Sequence, residues 1–208
     1  MTTQAAMIAE IESDTERSDT AAIRSKIAAA IRKYQKVRFW FNESRDVTFN
    51  TVADQSDYGF TADIGTEFYT IDGLFVTQGT NTYALDKCDY RSLEILLDAN
   101  TTSSLPISFA YIDSKARLYP YPDAVYSARM TGHVKIDVPT SDGDVDNEWF
   151  TEAYDLIMAD AKAELYAHRW EDPTQASIMR AARDEYLSDL KAASASKTGT
   201  GSIRPTQF

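Results

Sequence analysis

Cysteine is nearly missing from these 208 residues. Cys88 stands alone, which excludes a framework of intrachain disulfides and fits a reducing compartment. Histidine is almost as scarce, with only His133 and His168 present. A serine or cysteine nucleophile needs a base held beside it. His133 falls in an alternating strand pattern and His168 on a helix near Trp170, so both read as packing or surface residues. No apolar run is long enough to cross a bilayer. Glu10, Glu12 and Asp14 interrupt the stretch where a secretory signal would be apolar. No glycine-rich loop stands between a strand and a helix to cradle phosphate. Cys88 has neither a partner cysteine nor nearby histidines for a zinc site. The expectation is a soluble, cytosolic protein that uses no membrane, no metal and no cofactor.

What is abundant is negative charge. The formal net charge of -11 repels phosphate, which argues against a sequence-specific DNA reader. The charge is unevenly spread. Between Ala21 and Trp40 the ionised residues are Arg24, Lys26, Arg32, Lys33, Lys36 and Arg38, with no acid among them. Acids dominate later, at Asp142, Asp144, Asp146, Glu148 and Glu152. Two readings stand: separately solvated faces, or complementary faces of neighbouring copies. In the second, Arg32, Lys33 and Lys36 meet Asp142, Asp144 and Asp146 across a subunit boundary. The run Asp142-Gly143-Asp144-Val145-Asp146 also imitates the start of a calcium loop. It fails where Asn147 replaces the turn glycine and Ala153 the bidentate glutamate. Carboxylates are numerous enough that a hydrolase pair is not excluded by counting.

Periodicity divides the chain. Ala6, Met7, Ile8 and Ile11 predict a short helix over 3–16. Ser18 or Asp19 caps a second, whose Ile23, Ile27, Ala30, Ile31 and Tyr34 recur at three- and four-residue steps. Arg38-Phe39-Trp40-Phe41 ends it as an aromatic plug, expected to pack where helix meets sheet. From Asp46 the period becomes two. Strands are expected around 47–49, 66–76, 82–85, 107–111, 116–119 and 128–138, with a polar loop over 54–65. Asp86 is expected to cap a short helix carrying Tyr90, Leu93, Leu96 and Leu97. Pro120 and Pro122, in Arg-Leu-Tyr-Pro-Tyr-Pro-Asp, forbid a central strand through that turn. So many close-set strands predict antiparallel pairing. After an acidic linker, Phe150, Tyr154, Ile157, Ala161 and Leu165 share one helical face as far as Trp170. Asp172 and Pro173 then start a last helix presenting Met179, Ala182, Tyr186 and Leu190. From Ser194 a Ser/Thr/Gly-rich run should be a mobile arm, with an apolar tip at Ile203 to Phe208. The fold class expected is α+β. Two N-terminal helices (1–45) and a C-terminal α-hairpin (140–195) form a helical core around a central antiparallel β-rich insertion (46–139), and an extended arm (196–208) follows.

The order of these features resembles a known family. Met7-Ile8-Ala9-Glu10-Ile11 is followed by Ile23-Arg24-Ser25-Lys26-Ile27, then by Ala30-Ile31-Arg32-Lys33-Tyr34 and Arg38-Phe39-Trp40-Phe41-Asn42-Glu43. Val47-Thr48-Phe49, the Leu118-Tyr119-Pro120-Tyr121-Pro122 turn, Ala161-Lys162-Ala163-Glu164-Leu165 and Ala181-Ala182-Arg183-Asp184-Glu185-Tyr186 complete it. Together they resemble the head-to-tail adaptor, or connector, proteins of tailed bacteriophages. The resemblance implies a non-enzymatic virion protein. Copies, typically twelve, would form a ring beneath the portal protein, extending the channel for genomic double-stranded DNA toward tail or nozzle proteins. It also implies a C-terminal arm on the portal, here Lys197 to Phe208, with Ile203, Arg204, Pro205 and Phe208 as candidate contacts. Two rivals stand beside it: another tail component such as a terminator, and a carboxylate-based cell-wall hydrolase.

Overall fold

A computed structural model describes residues 3–139, 147–197 and 199. The chain divides into two compact units. One is helical, built from described residues before 43 and after 135; the other is Glu43–Lys135.

In the helical unit, α1 (Gln4–Thr15) begins where the Thr3 hydroxyl accepts a bond from the Ala6 amide. It turns Met7, Ile8 and Ile11 inward. The next helix, α2 (Thr20–Tyr34), is capped by Asp19, which accepts from the Ala22 amide, and it buries the isoleucine stripe seen in the sequence. Phe39 and Phe41, in and beside a 3-10 turn at Trp40–Asn42, stack at 5.3 Å, with Trp149 edge-on to both. The plug therefore fills the helical core. The helix expected through Phe150 is broken. A short α4 (Glu148–Thr151), capped by the Asn147 side chain, is followed at Glu152–Ala153 by a new start, α5 (Tyr154–His168). Asp172 accepts from the Gln175 amide and opens α6 (Pro173–Lys197). That helix is longer than expected: Ser194 is buried, and Lys197 is still helical. Its inward stripe is Ala176, Met179, Arg183, Leu187, Leu190 and Ser194, whereas Tyr186 stays 38% exposed. The expected stripe was rotated because Arg183, long enough to bury its stem and keep a charged partner, takes a position that polarity alone assigns to solvent.

The second unit is a sandwich. In its first sheet the order is β1 (Glu43–Asn50), β8 (Ser127–Val134), β3 (Phe68–Gln78), β4 (Asn81–Ala84), antiparallel throughout. In its second the order is β2 (Asp57–Gly59), β7 (Lys115–Tyr119), β6 (Ser108–Ile112), β5 (Asp86–Lys87). Phe49, Leu74, Val76 and Met130 from one sheet meet Tyr58, Phe109 and Leu118 from the other in a shared core. Adjacent strand residues face opposite ways. Phe109 therefore points into that core while Ala110 receives Leu93 and Leu97 of α3 (Tyr90–Ala99) on the sheet's outer side.

The structure corrects four expectations about this unit. Asp86 lies in β5, and Asp89 caps α3, accepting from the Arg91 and Ser92 amides, because a cap must adjoin the first turn. The pair β5–β6 is parallel, made possible by the crossover through α3. The segment 54–65 is not simply loop: Tyr58 and Phe60, two residues apart and both buried, anchor β2 and a single π turn at Phe60–Ile64. Strand β8 also ends early, at Val134, since Ile136 and Val138 pack against the helical core.

Arg117 ties the second sheet to its neighbours. It donates from Nε to Asp57 Oδ1 at 2.6 Å and from Nη2 to Oδ2 at 2.8 Å, and it also holds Glu94 of α3. The Arg117 hydrogen bonds keep the Asp57 carboxyl below its ordinary value, against an opposing push from burial. A carboxyl lowered in the folded state stabilises above its unfolded pKa, and that contribution disappears as pH falls through the folded value. Urea unfolding should therefore show Asp57→Asn less stable than the parent at pH 7, by about 1 kcal/mol, with the gap closing below about pH 4. A gap that persists at pH 2 would assign the loss to packing instead.

Candidate interaction surfaces

The sequence marked α2 as basic, and the structure separates its cations by what they touch. Lys33 donates to Asp160 Oδ1 at 2.7 Å. Asp160 lies on α5, is 2% exposed, and also accepts from the Tyr34 hydroxyl at 3.2 Å, with Arg183 Nη1 at 3.5 Å. Burial first, then the Asp160 charge, pushes the Tyr34 phenol far above its ordinary pKa. Lys26 stands 3.7 Å from Glu164. Arg32, in the last turn of α2, and Lys36, two residues past its end, are exposed and make no ion pair among the described residues. Their charges suit the C-terminal end of α2, where the helix dipole is negative.

On α1, Glu10 accepts from the Tyr154 hydroxyl at 2.6 Å, and Asp14 pairs with the nearly buried Lys162. Burial leads and the Glu10 bond follows in raising the Tyr154 phenol. These links were not found from the sequence. Asp160 had a signal: it stands three residues after Ile157 and just before Ala161, on the face that the apolar stripe assigns to the core.

A groove of about 410 Å³ runs between the end of α4, the start of α5 and the second half of α6. Leu156, Tyr186 and Leu190 line it, and Glu152, Asp155 and Asp189 bring exposed carboxylates to it. Of the candidate arm residues, Lys197 belongs to α6 and places its ammonium 3.9 Å from the Trp40 ring centre, a cation–π contact. Ile203, Arg204, Pro205 and Phe208 lie outside the described residues, as do Asp142, Asp144 and Asp146.

Potential reactive groups are dispersed. His133 is buried in β8, with its ring 5.1 Å from Tyr69. His168 is exposed at the end of α5, 3.5 Å from Glu164. The Cys88 thiol donates to the Phe109 carbonyl, and burial raises its pKa, which keeps it a poor nucleophile. Among the described residues, no three His, Cys, Asp or Glu side chains gather as a metal ion would require. No helix among them is long and apolar enough to cross a membrane.

A helical unit with charged faces and an acid-rimmed groove, joined in sequence to a β-sandwich, defines an α+β protein. The family model described as SU10 adaptor protein matches residues 2–206, and the chain belongs to that family. No curated protein matches it. Membership in this phage head-to-tail adaptor family implies a structural, non-enzymatic role as a virion component, in contact with other phage head and tail components.

Proposed function

We propose that this chain is the repeating subunit of a ring at the neck of a tailed phage, seated between the portal protein and the tail or nozzle proteins. The match of the adaptor family model across residues 2–206 carries this reading. Twelve copies close the ring in the family pattern. Their lumen continues the DNA channel, and the net charge of -11 lets genomic DNA pass without specific binding. Assembly takes place in the host cytoplasm. The segment after α6 reaches the portal, with Ile203, Pro205 and Phe208 as apolar anchors and Arg204 as a charged one. Lys197, held over Trp40, fixes where that segment departs.

Removal of residues 198–208 tests the arm. The truncated chain should keep the parent circular dichroism spectrum and unfolding midpoint, because the described cores lie outside that segment. Its co-sedimentation with portal-bearing heads should drop by about tenfold or more, as expected when a few apolar anchors are lost. Retention equal to the full chain would remove the arm from the portal contact.

A further inference from the structure

We propose that the groove formed by α4, α5 and α6 receives the basic end of α2 and the turn after it, Arg32 and Lys36, from the next copy of this chain. The inference rests on the ring reading and names the surfaces that close it. Two charge sets within the helical unit lack internal partners among the described residues: Arg32 and Lys36 on one side, Glu152, Asp155 and Asp189 on the other.

The two sets cannot easily meet within one copy. On α5, Asp160 and Glu164 face α2, through Lys33 and Lys26. Asp155 precedes Asp160 by five residues, which places it about 140° further round the helix at 100° per residue. On α6, Arg183 reaches Asp160 and Ser194 accepts from the Trp40 amide, so that flank is the one turned to α2 and its continuation. Tyr186 and Asp189 occupy the other flank. A closed ring needs unlike surfaces on opposite sides of each subunit, each meeting the other on its neighbour. Basic α2 and the acid-rimmed groove are unlike in the way that requirement asks, opposite in charge and unpaired among the described residues of the copy.

The groove also suits long cationic side chains. Their methylene stems can lie on Tyr186 and Leu190 while the charged heads reach the carboxylates at the rim. Elsewhere the excess of acids makes copies repel, so this pairing sets the register as well as the attraction. Lys33 is held by Asp160 and takes no part.

A charge-swap experiment with the full chain tests the pairing. One variant carries Asp155→Lys and Asp189→Lys; the other carries Arg32→Glu and Lys36→Glu. Circular dichroism first establishes that each folds. Sedimentation velocity at rising concentration, and copy number retained on portal-bearing heads, then measure assembly. Each variant alone should associate at least about tenfold more weakly than the parent, the scale of a lost close charge pair. An equimolar mixture should recover assembly, because a lysine groove then meets a glutamate helix and the unaltered surfaces meet each other. Parent-like assembly by either variant alone, or a mixture no better than its components, overturns the groove pairing while leaving the ring intact. A parent chain that stays single in solution and on heads overturns the ring and this contact together.

Discussion

Gly132→Val should leave the sandwich unit unable to fold, a loss above about 4 kcal/mol. Gly132 lies on β8, the strand flanked by β1 and β3, opposite Ile71 and next to irregular register in both partners. A Cβ built there would come 2.1 Å from the Thr70 carbonyl oxygen and 3.1 Å from Ile71 Cα. Those are backbone atoms, so no rotamer change relieves the overlap. Relief requires β3 and β8 to separate, which breaks the ladder that holds Leu74, Val76, Ala128 and Met130 in the core. Even Gly132→Ala should be severe, since the first carbon already collides. The comparison variant is Gly79→Ala. There the φ of +61° is unfavourable for alanine, but the space is open, and the expected cost is about 1 kcal/mol. Equilibrium urea unfolding with near-ultraviolet circular dichroism separates the cases. A Gly132→Val protein with the parent's cooperative transition would show that the two strands have room they do not display here.

The helices were legible because their signals are local. Asp19 and Asp172 cap the helices that their positions announced, and Ile23, Ile27 and Ile31 bury the face that their spacing marks. Alternation likewise exposed β1, β3, β6 and β7. What sequence could not display was the division of those strands into two sheets. That division depends on β2, three residues long, whose only cue is Tyr58 two places before Phe60 inside a polar stretch. It depends equally on β5, a two-residue parallel pairing that α3 makes possible. A break such as Glu152–Ala153 is invisible to periodicity, because α4 and α5 are both helical and Phe150 and Ile157 are buried on either side of it.

The candidate interaction surfaces were only half legible for a related reason. Charge runs along a chain show where cations are, not which of them their own fold has already paired. Arg32, Lys33 and Lys36 look equivalent in sequence, yet Lys33 alone meets a buried acid from 127 residues away. The groove is less visible still. Glu152 and Asp155 are neighbours in sequence, but Asp189 joins them only through the α5–α6 hairpin. The adaptor resemblance, by contrast, rested on the order of many weak features over the chain, and the family match covers residues 2–206.

Asp160→Ala should cost the helical unit about 3 kcal/mol, the largest effect expected from any change in its polar contacts. The carboxylate is shared by α2, through Lys33 and Tyr34, and by α6, through Arg183. Its removal leaves the Tyr34 hydroxyl, on a residue 3% exposed, without its acceptor, and takes one of two carboxylates from Arg183, which keeps Asp184 at 2.7 Å. Lys33, half exposed, can turn to water and limits the loss. Asp160→Asn keeps an acceptor for Tyr34 and gives up the charge, so it should cost about half as much. Lys33→Ala should cost about 0.5–1 kcal/mol, and Arg32→Ala and Lys36→Ala should leave the unfolding midpoint unchanged. That ordering, read from denaturant unfolding of all five variants, divides the basic residues of α2 and the turn after it by task. Lys33 holds its own subunit together, whereas Arg32 and Lys36 stay available for the proposed contact with the next copy. If Asp160→Ala unfolds at the parent midpoint, the buried pair contributes no net stability, and the division fails with it.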